Sequence, residues 1–486
     1  MDHVAPHRAR TGDCSMITAD LTIREDHLSM LRAELLRTDG KEHAAYVLFG
    51  ISRIGEDPFT HEPRLRLMIK DVLAVNDDEI KSSDHQHISW STERFVHLLA
   101  RVEREGLELG IAHSHPAGPM RFSAQDDANE AELVRLSQNR NGGDAILPSL
   151  LFAAGGLAAG RVWLSPTSLV SIGSVRTVSG NWRTILFDEE RRPFDNRTLA
   201  RQELALGPLF NTAMRHLRVG VVGAGGTGSP LLQQIARMGA GHIAIFDPDH
   251  VEHSNLNRLY GATLVDADVG TKKVDVARRE IERMGLGTEV ATFDTWIGAP
   301  ECRDALKSMD LVFGCTDDHD GRSLLNRLAY YYLVPVIDIG LALRVTERHG
   351  SSCLEADGRV TVLEPGCACL ICRRIVDAEV AAEEALRRNE PEEYERRKAE
   401  AYVRGEGNPS PAVISFTTSV AAMAVEEMIQ RMNQFRGADG AIANRVRKFN
   451  MAEDFRPGAK KEPCRICGSD RVHGVGDVQP FLGRAG

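Results

Sequence analysis

A chain of 486 residues exceeds what one hydrophobic core ordinarily organises, so two or three domains are expected. Its 42% hydrophobic and 26% charged residues give a globular balance, and a net charge of -10 argues against a general nucleic-acid binder, which needs a basic surface. No apolar run of about 18 residues or more suggests a membrane span.

The opening MDHVAPHRARTGDCSM lacks the apolar stretch of a signal peptide and reads as a disordered lead-in, with Met16 as an alternative start. In strand-like segments, AAYVLFG (44–50) and LRLMIKDVLAV (65–75) are rich in β-branched and aromatic residues. Phe95, Leu98, Leu99 and Val102 recur at i, i+3, i+4 and i+7, which predicts an amphipathic helix. LELGIAHSHP reads as a strand entering a loop, FSAQDDANEAELVRLSQ as a helix, and AILPSLLFAAGG and AAGRVWLS as two further strands. Residues 20–170 are therefore expected to form an α+β domain, and 171–194 a polar linker. From 195 to 486 the pattern becomes strand, glycine loop, helix, strand, the opening of a parallel nucleotide-binding sheet. Residues 383–407 are densely charged and read as a solvated helix or a crossover segment.

The stretch GIAHSHPAGPMRFSAQDD (110–127) joins His113, His115, Ser123 and Asp126. Two histidines two apart on an extended segment face one side, and Asp126 at a helix start can supply a third, anionic ligand. Catalytic zinc takes three protein ligands and leaves a position for water, whose pKa it lowers toward neutrality. Ser123 lies where a hydroxyl can hydrogen-bond an oxyanion. Two close histidines alone are more often plain surface or core residues. The whole pattern H-x-H-x7-S-x2-D is more specific, and it resembles the JAMM motif of the JAB/MPN metalloproteases, the family of deubiquitinating isopeptidases. That resemblance implies a zinc-dependent peptidase with a glutamate acid/base ahead of the first strand. Glu42 is the candidate, although His43 occupies the tighter alignment.

VVGAGGTGSP (221–230) fits G-x-G-x-x-G through Gly223, Gly225, Gly226 and Gly228, and Asp247 follows the next strand. Glycines alone leave NAD and ATP equally open. Asn255, Arg258, Lys273 and Asp317 then appear in order, a set suited to expelling pyrophosphate: cations for the phosphates and a carboxylate for magnesium. The arrangement resembles the ThiF/MoeB adenylyltransferases and the adenylation domain of ubiquitin-activating enzymes. By that resemblance Asp247 takes the ribose, Asn255, Arg258 and Lys273 the phosphates of ATP, and Asp317 Mg2+. Arg201 in TLARQELAL would reach the ATP site of a partner subunit, which implies a homodimer.

Of nine cysteines, Cys369 and Cys372 form one C-x-x-C pair and Cys464 and Cys467 another. Without an export signal this favours metal or free thiols over disulfides and a cytoplasmic location. Two such knuckles suit a structural four-cysteine zinc site, with Cys367 as an alternative to Cys369. No cysteine lies between Cys372 and Cys464 to form a thioester.

Together the two resemblances imply one substrate: a ubiquitin-like protein whose terminal glycine is freed by the peptidase and adenylated with ATP. The charged insertion could dock a ubiquitin-conjugating-enzyme-like protein. Sulfur-carrier activation for cofactor biosynthesis, a non-catalytic scaffold and an NAD-dependent oxidoreductase are the competing readings. No nucleic-acid or membrane partner is expected.

Overall fold

The computed structural model describes residues 17–84, 88–187, 196–348, 351–399, 411–459 and 463–483. The lead-in with Met16, residues 188–194 of the expected linker and residues 400–407 of the charged insertion lie outside the described residues.

The N-terminal domain runs β1 (Thr18–Arg24), α1 (Glu25–Leu35), β2 (Ala44–Ile54), β3 (Arg64–Ala74), a hairpin of β4 (Ile80–Ser83) and β5 (Ile88–Trp90), and α2 (Glu93–Glu105). It continues through β6 (Glu108–His115), α3 (Ala124–Asn141), β7 (Leu147–Ala153), β8 (Gly156–Ser165), β9 (Ser168–Val178) and β10 (Thr184–Leu186). The large sheet has the order β1-β3-β2-β6-β7-β8-β9-β10, and β1 also pairs in parallel with β9, so the sheet closes on itself. Strand alternation sends Val47 and Phe49 to a core with α1, and Tyr46 and Leu48 to a core with α2 and α3.

Much of the expected linker is therefore strand. In β9, Ile172, Val175 and Val178 are buried. The polar residues between them disguise the strand, because their partners are remote: Arg176 reaches Asp20 at 2.5 Å and Asp310 at 2.9 Å.

The C-terminal domain contains α4 (Ala200–Leu206), α5 (Pro208–His216), β11 (Arg218–Val222), α6 (Gly228–Arg237), β12 (His242–Phe246), α7 (Leu264–Val269), α8 (Lys273–Met284), β13 (Glu289–Phe293) and α9 (Arg303–Ser308). After these come β14 (Leu311–Gly314), α10 (His319–Tyr331), β15 (Val336–Arg348), β16 (Ser351–Leu363), α11 (Ala378–Asn389), α12 (Pro391–Ala399), α13 (Ile414–Asn433), β17 (Asn444–Lys448) and β18 (Glu453–Phe455). The sheet order is β13-β12-β11-β14-β15-β16-β17-β18. Its first five strands are parallel, as expected, but β16, β17 and β18 are antiparallel, so the sheet is mixed. Val219 and Val221 face a layer containing α6, α8 and α13, whereas Val222 and Val312 face α9 and α10. No helix among the described residues is long and apolar enough to cross a membrane.

The two domains dock through buried charge. Arg66 on β3 lies 2.8 Å from Asp310 and donates to the Met309 carbonyl. Arg64 bonds Asp20, Asp57 and the Ser308 carbonyl, and Arg218 bonds Asp57. A C-terminal strap adds backbone bonds to both sides. The Gly474 and Gly476 amides donate to Tyr330 and Tyr331, and the Asp477 amide donates to Ile51. Gly50 permits the strap to lie so close, since a Cβ there would fall 1.9 Å from the Gly474 oxygen.

Candidate active sites

The first site forms where β6 ends beside the start of β2, His113 being opposite Ala44 in the register. It gathers His113, His115 and Asp126, whose ligand atoms all lie within 4.8 Å of one another. His113 Nε2 is 3.3 Å from Asp126 Oδ1, and His115 Nε2 is 3.5 Å from Asp126 Oδ2. A tetrahedral zinc with bonds of about 2.0–2.1 Å to nitrogen and oxygen has edges of about 3.3 Å, so this donor set fits. Two further features support the fit. His113 Nε2 is buried without a hydrogen-bond partner. His115 Nδ1 bonds the Pro119 carbonyl at 3.2 Å, which turns Nε2 toward the site.

Burial opposes ionisation of Asp126, but the adjoining His113 and His115 imidazoles outweigh it and hold the carboxyl well below its usual range. The hydrogen bond to Asp126 in turn raises His115. Ser123 caps α3. Its hydroxyl donates to Asp126 at 2.7 Å and accepts from the Asp126 amide at 3.2 Å. The hydroxyl therefore orients the Asp126 carboxylate here, and its expected bond to an oxyanion requires a turn away from Asp126.

Glu42 Oε1 lies 3.8 Å from His115 Nε2 and lines the same cavity as Trp90 and Pro119. His43 points elsewhere, pairing with Asp39 at 3.0 Å. The geometry thus brings Glu42 rather than His43 to the histidines.

Sequence reasoning missed what holds α3 in place. Glu130 is buried and accepts from Ser149 at 2.6 Å, Arg161 at 2.7 Å and Trp163 at 2.6 Å. Arg161 also bonds Asp127 at 2.5 Å and lies over the Phe122 ring, which in turn packs on His113. The available signal was the spacing of Asp126 and Glu130, one helical turn apart and so on one face.

The second site lies at the carboxyl ends of β11, β12 and β14. Gly223 has φ +91°, and a Cβ there would meet the Cys315 carbonyl oxygen at 2.8 Å. A Cβ on Gly228 would fall 1.8 Å from the Gly223 oxygen, so the loop turns tightly into α6. Gly225 faces open space, and Gly226 lies against the stem of Arg258. Asp247 is buried and accepts from the Ala224 amide at 2.6 Å and the Asp249 amide at 2.8 Å, so it braces the glycine loop. Burial raises its carboxyl, with Lys273 opposing.

Lys273 begins α8 with its ammonium 2.7 Å from Asp249. Arg258 bonds the Ser254 carbonyl at 2.6 Å, and the Asn255 side chain accepts from the Glu252 amide at 3.1 Å. Asp317 is exposed, with no side-chain bond among the described residues. The cap of α10 is instead Asp318, which accepts from the Gly321 amide at 2.6 Å. Arg201 is exposed on α4.

The model of the ThiF family matches residues 199–466. The chain belongs to the ThiF family. In this ThiF-family chain, residues 24–165 match the prokaryotic homologs of the JAB domain. Over 167 residues the chain is 29% identical to the SAMP-activating enzyme E1 of Haloferax volcanii, covering 34% of this chain and 57% of that one. It is 33% identical over 149 residues to the adenylyltransferase and sulfurtransferase MOCS3 of Culex quinquefasciatus, 31% of each chain. The match thus spans less than two thirds of either relative. The crystal structure of E. coli MccB with ATP aligns over 56% of this chain and 75% of that one, at 16% identity and a TM-score of 0.42.

A four-cysteine cluster stands apart from both sites. Cys369 and Cys464 sulfurs are 3.8 Å apart, and Cys372 and Cys467 sulfurs 3.6 Å. A tetrahedron with metal–sulfur bonds of about 2.3 Å has edges of about 3.8 Å, so the cluster fits zinc. Cys369, not Cys367, belongs to it.

Proposed function

We propose that this chain is a bifunctional enzyme of a ubiquitin-like protein pathway. Its N-terminal domain cleaves after the C-terminal glycine of a ubiquitin-like protein, and its C-terminal domain adenylates the carboxylate so freed. The observation that carries the reading is that His113, His115 and Asp126 stand at zinc-ligand distances beside Glu42, in one chain with a ThiF nucleotide loop.

His113, His115 and Asp126 would hold the catalytic zinc, which when bound supplies an acidified water. Glu42 takes a proton from the attacking water and returns it to the leaving amine. Ser123, released from Asp126, donates to the carbonyl oxygen as charge develops there. In the second reaction a carboxylate oxygen attacks the α-phosphorus of ATP and pyrophosphate leaves. Arg258 and Lys273 stabilise the phosphate charge, Asn255 positions the phosphates, Asp317 would hold Mg2+, and Asp247 orders the loop that receives the ribose.

The domain limits follow as N-terminal peptidase and C-terminal adenylyltransferase, the latter dimeric. Dimerisation is supported by Arg201 sharing the α4–α5 surface with Leu204 and Leu209, which are 90% and 77% exposed. The cysteine cluster would hold a structural zinc.

ATP–pyrophosphate exchange in the presence of a mature ubiquitin-like protein tests the adenylation half; it should vanish in Lys273→Ala. Cleavage of a C-terminally extended form tests the other half and should vanish in His113→Ala and Glu42→Gln. Retention of cellular function by both inactive variants would establish a scaffold instead, and tight NAD binding without ATP binding an oxidoreductase. Sulfur-carrier activation is the second reading, favoured by the similarity to the adenylyltransferase and sulfurtransferase MOCS3. The absence of cysteine between Cys372 and Cys464 supports an activation that ends at the acyl-adenylate.

A further inference from the structure

Both proposed reactions address the same carbon, the carbonyl of the terminal glycine. On that reading the relative placement of the two centres decides whether the glycine can pass directly between them.

On β2 and just past its end the contacts with the C-terminal domain run from Gly50 through Ile51 and Arg53 to Gly55. The histidine site lies at the other end of that strand, since His113 pairs with Ala44. At roughly 3.3 Å per residue, about 20 Å of strand separates the histidines from the nearest of these contacts.

In the C-terminal domain, the docking residues sit at the amino ends of the parallel strands. Arg218 opens β11, and Asp310 immediately precedes β14. Glu364, which accepts from the Ser179 and Gly180 amides, follows Leu363, the residue opposite Val336 at the start of β15. Gly223, Asp247 and Asp317 all lie beyond the carboxyl ends of their strands. Crossing β11 or β14 from docking face to nucleotide loop adds about 15 Å. Each centre therefore sits on the side of its domain turned from the other.

The docking is also stiff. Arg66 and Asp310 each have side chains only 1% exposed, and Asp57 likewise. A swing of one domain toward the other would break these charge-assisted hydrogen bonds together with the strap's backbone bonds to both sides, so it is disfavoured. A path on the order of 35 Å needs about ten fully extended residues, at most roughly 3.3–3.6 Å each.

We infer that the two centres act in separate encounters: the freed glycine carboxylate leaves the chain and mixes with the surrounding pool before it is adenylated. There is no direct transfer. The peptidase consequently feeds, and draws on, a shared pool of mature and conjugated protein.

The experiment uses the full chain with ATP, an isotopically heavy ubiquitin-like precursor bearing a C-terminal extension, and excess light mature protein. Hydroxylamine traps the acyl-adenylate as the hydroxamate, displacing AMP. The expected result is a heavy fraction in the hydroxamate equal to that of the free mature protein at every time. Heavy hydroxamate in several-fold excess over that fraction overturns the inference and leaves the two activities standing. A mixture of His113→Ala and Lys273→Ala chains should convert precursor to hydroxamate as fast as wild type at equal numbers of working sites; a much slower mixture likewise overturns it. No hydroxamate even from mature protein alone refutes the functional reading itself, and the inference falls with it.

Discussion

Arg66 Nη2 lies 2.8 Å from Asp310 Oδ1, joining residues from different domains in a contact from which both side chains are almost wholly excluded from water. Around them Asp20, Asp57, Arg64, Arg176 and Arg218 complete a network of alternating charge. Burial pushes the Arg66 guanidinium down to about 10, with the repulsion of Arg64 and Arg176 adding to it and Asp20 and Asp310 resisting. Removing one partner of such a buried pair costs about 3–5 kcal/mol, because the other is left uncompensated. Asp310→Ala should therefore lower stability by that order in chemical denaturation and split the transition into two. A single unshifted transition would show that the network does not hold the domains together.

Glu130 should govern metal affinity from outside the ligand set. Its carboxylate collects three donors from β7 and β8 and so fixes the helix that carries Asp126. Glu130→Ala leaves those donors unpaired, at about 1–3 kcal/mol each. The expected outcome is at least tenfold weaker zinc binding at the histidine site by competitive chelation, with the four-cysteine site still loaded. Unchanged affinity would mean that the Ser123 cap alone positions Asp126.

The four-cysteine cluster precedes the strap that crosses to β2. His473 within this stretch bonds the Ile466 carbonyl at 3.0 Å and stacks on Tyr330. Cys467→Ser should raise amide hydrogen exchange at Gly474, Gly476 and Asp477, whose amides bond Tyr330, Tyr331 and Ile51. Protection equal to wild type would show that the strap is held without the cluster.

Glu108 offers a test by pH. Burial raises its carboxyl from 4.5 to about 7, with the bond from the Ile146 amide opposing. A raised acid binds its proton more tightly when folded, so its contribution is complete below about 4.5 and is lost as pH rises toward 7. The melting temperature of wild type relative to Glu108→Gln should therefore fall across that interval and level off above it. A difference independent of pH would refute the assignment.

The two sites were legible in the sequence because their residues sit on short local frames. His113, His115, Ser123 and Asp126 span one strand end, one loop and one helix cap, so spacing along the chain approximates spacing in space. The glycine loop is similar, its conformation being imposed within a few residues. Glu42 was less legible: it lies just ahead of another strand, and only tertiary contacts bring it to His115 while its neighbour His43 turns to Asp39. The bracing of α3 by Arg161 and Trp163 could not be read at all, since both arrive from β8 after a long excursion.

The linker shows the same limit. SIGSVRTV carries its hydrophobic residues at steps of three, off the strand period of two, with arginine, serine and threonine between, and by itself resembles a surface segment. Its Arg176 is accommodated in the strand because Asp20 and Asp310 match its charge. Local sequence by itself determined the histidine and glycine-loop motifs and the four-cysteine knuckles, through backbone turns and spacings that need only neighbouring residues. Tertiary structure alone decided that β9 closes the first sheet on β1, that buried arginines lock the domains, and that the two centres face apart. These depend on pairings between residues hundreds of positions distant, whose energy exists only once both partners have left water together.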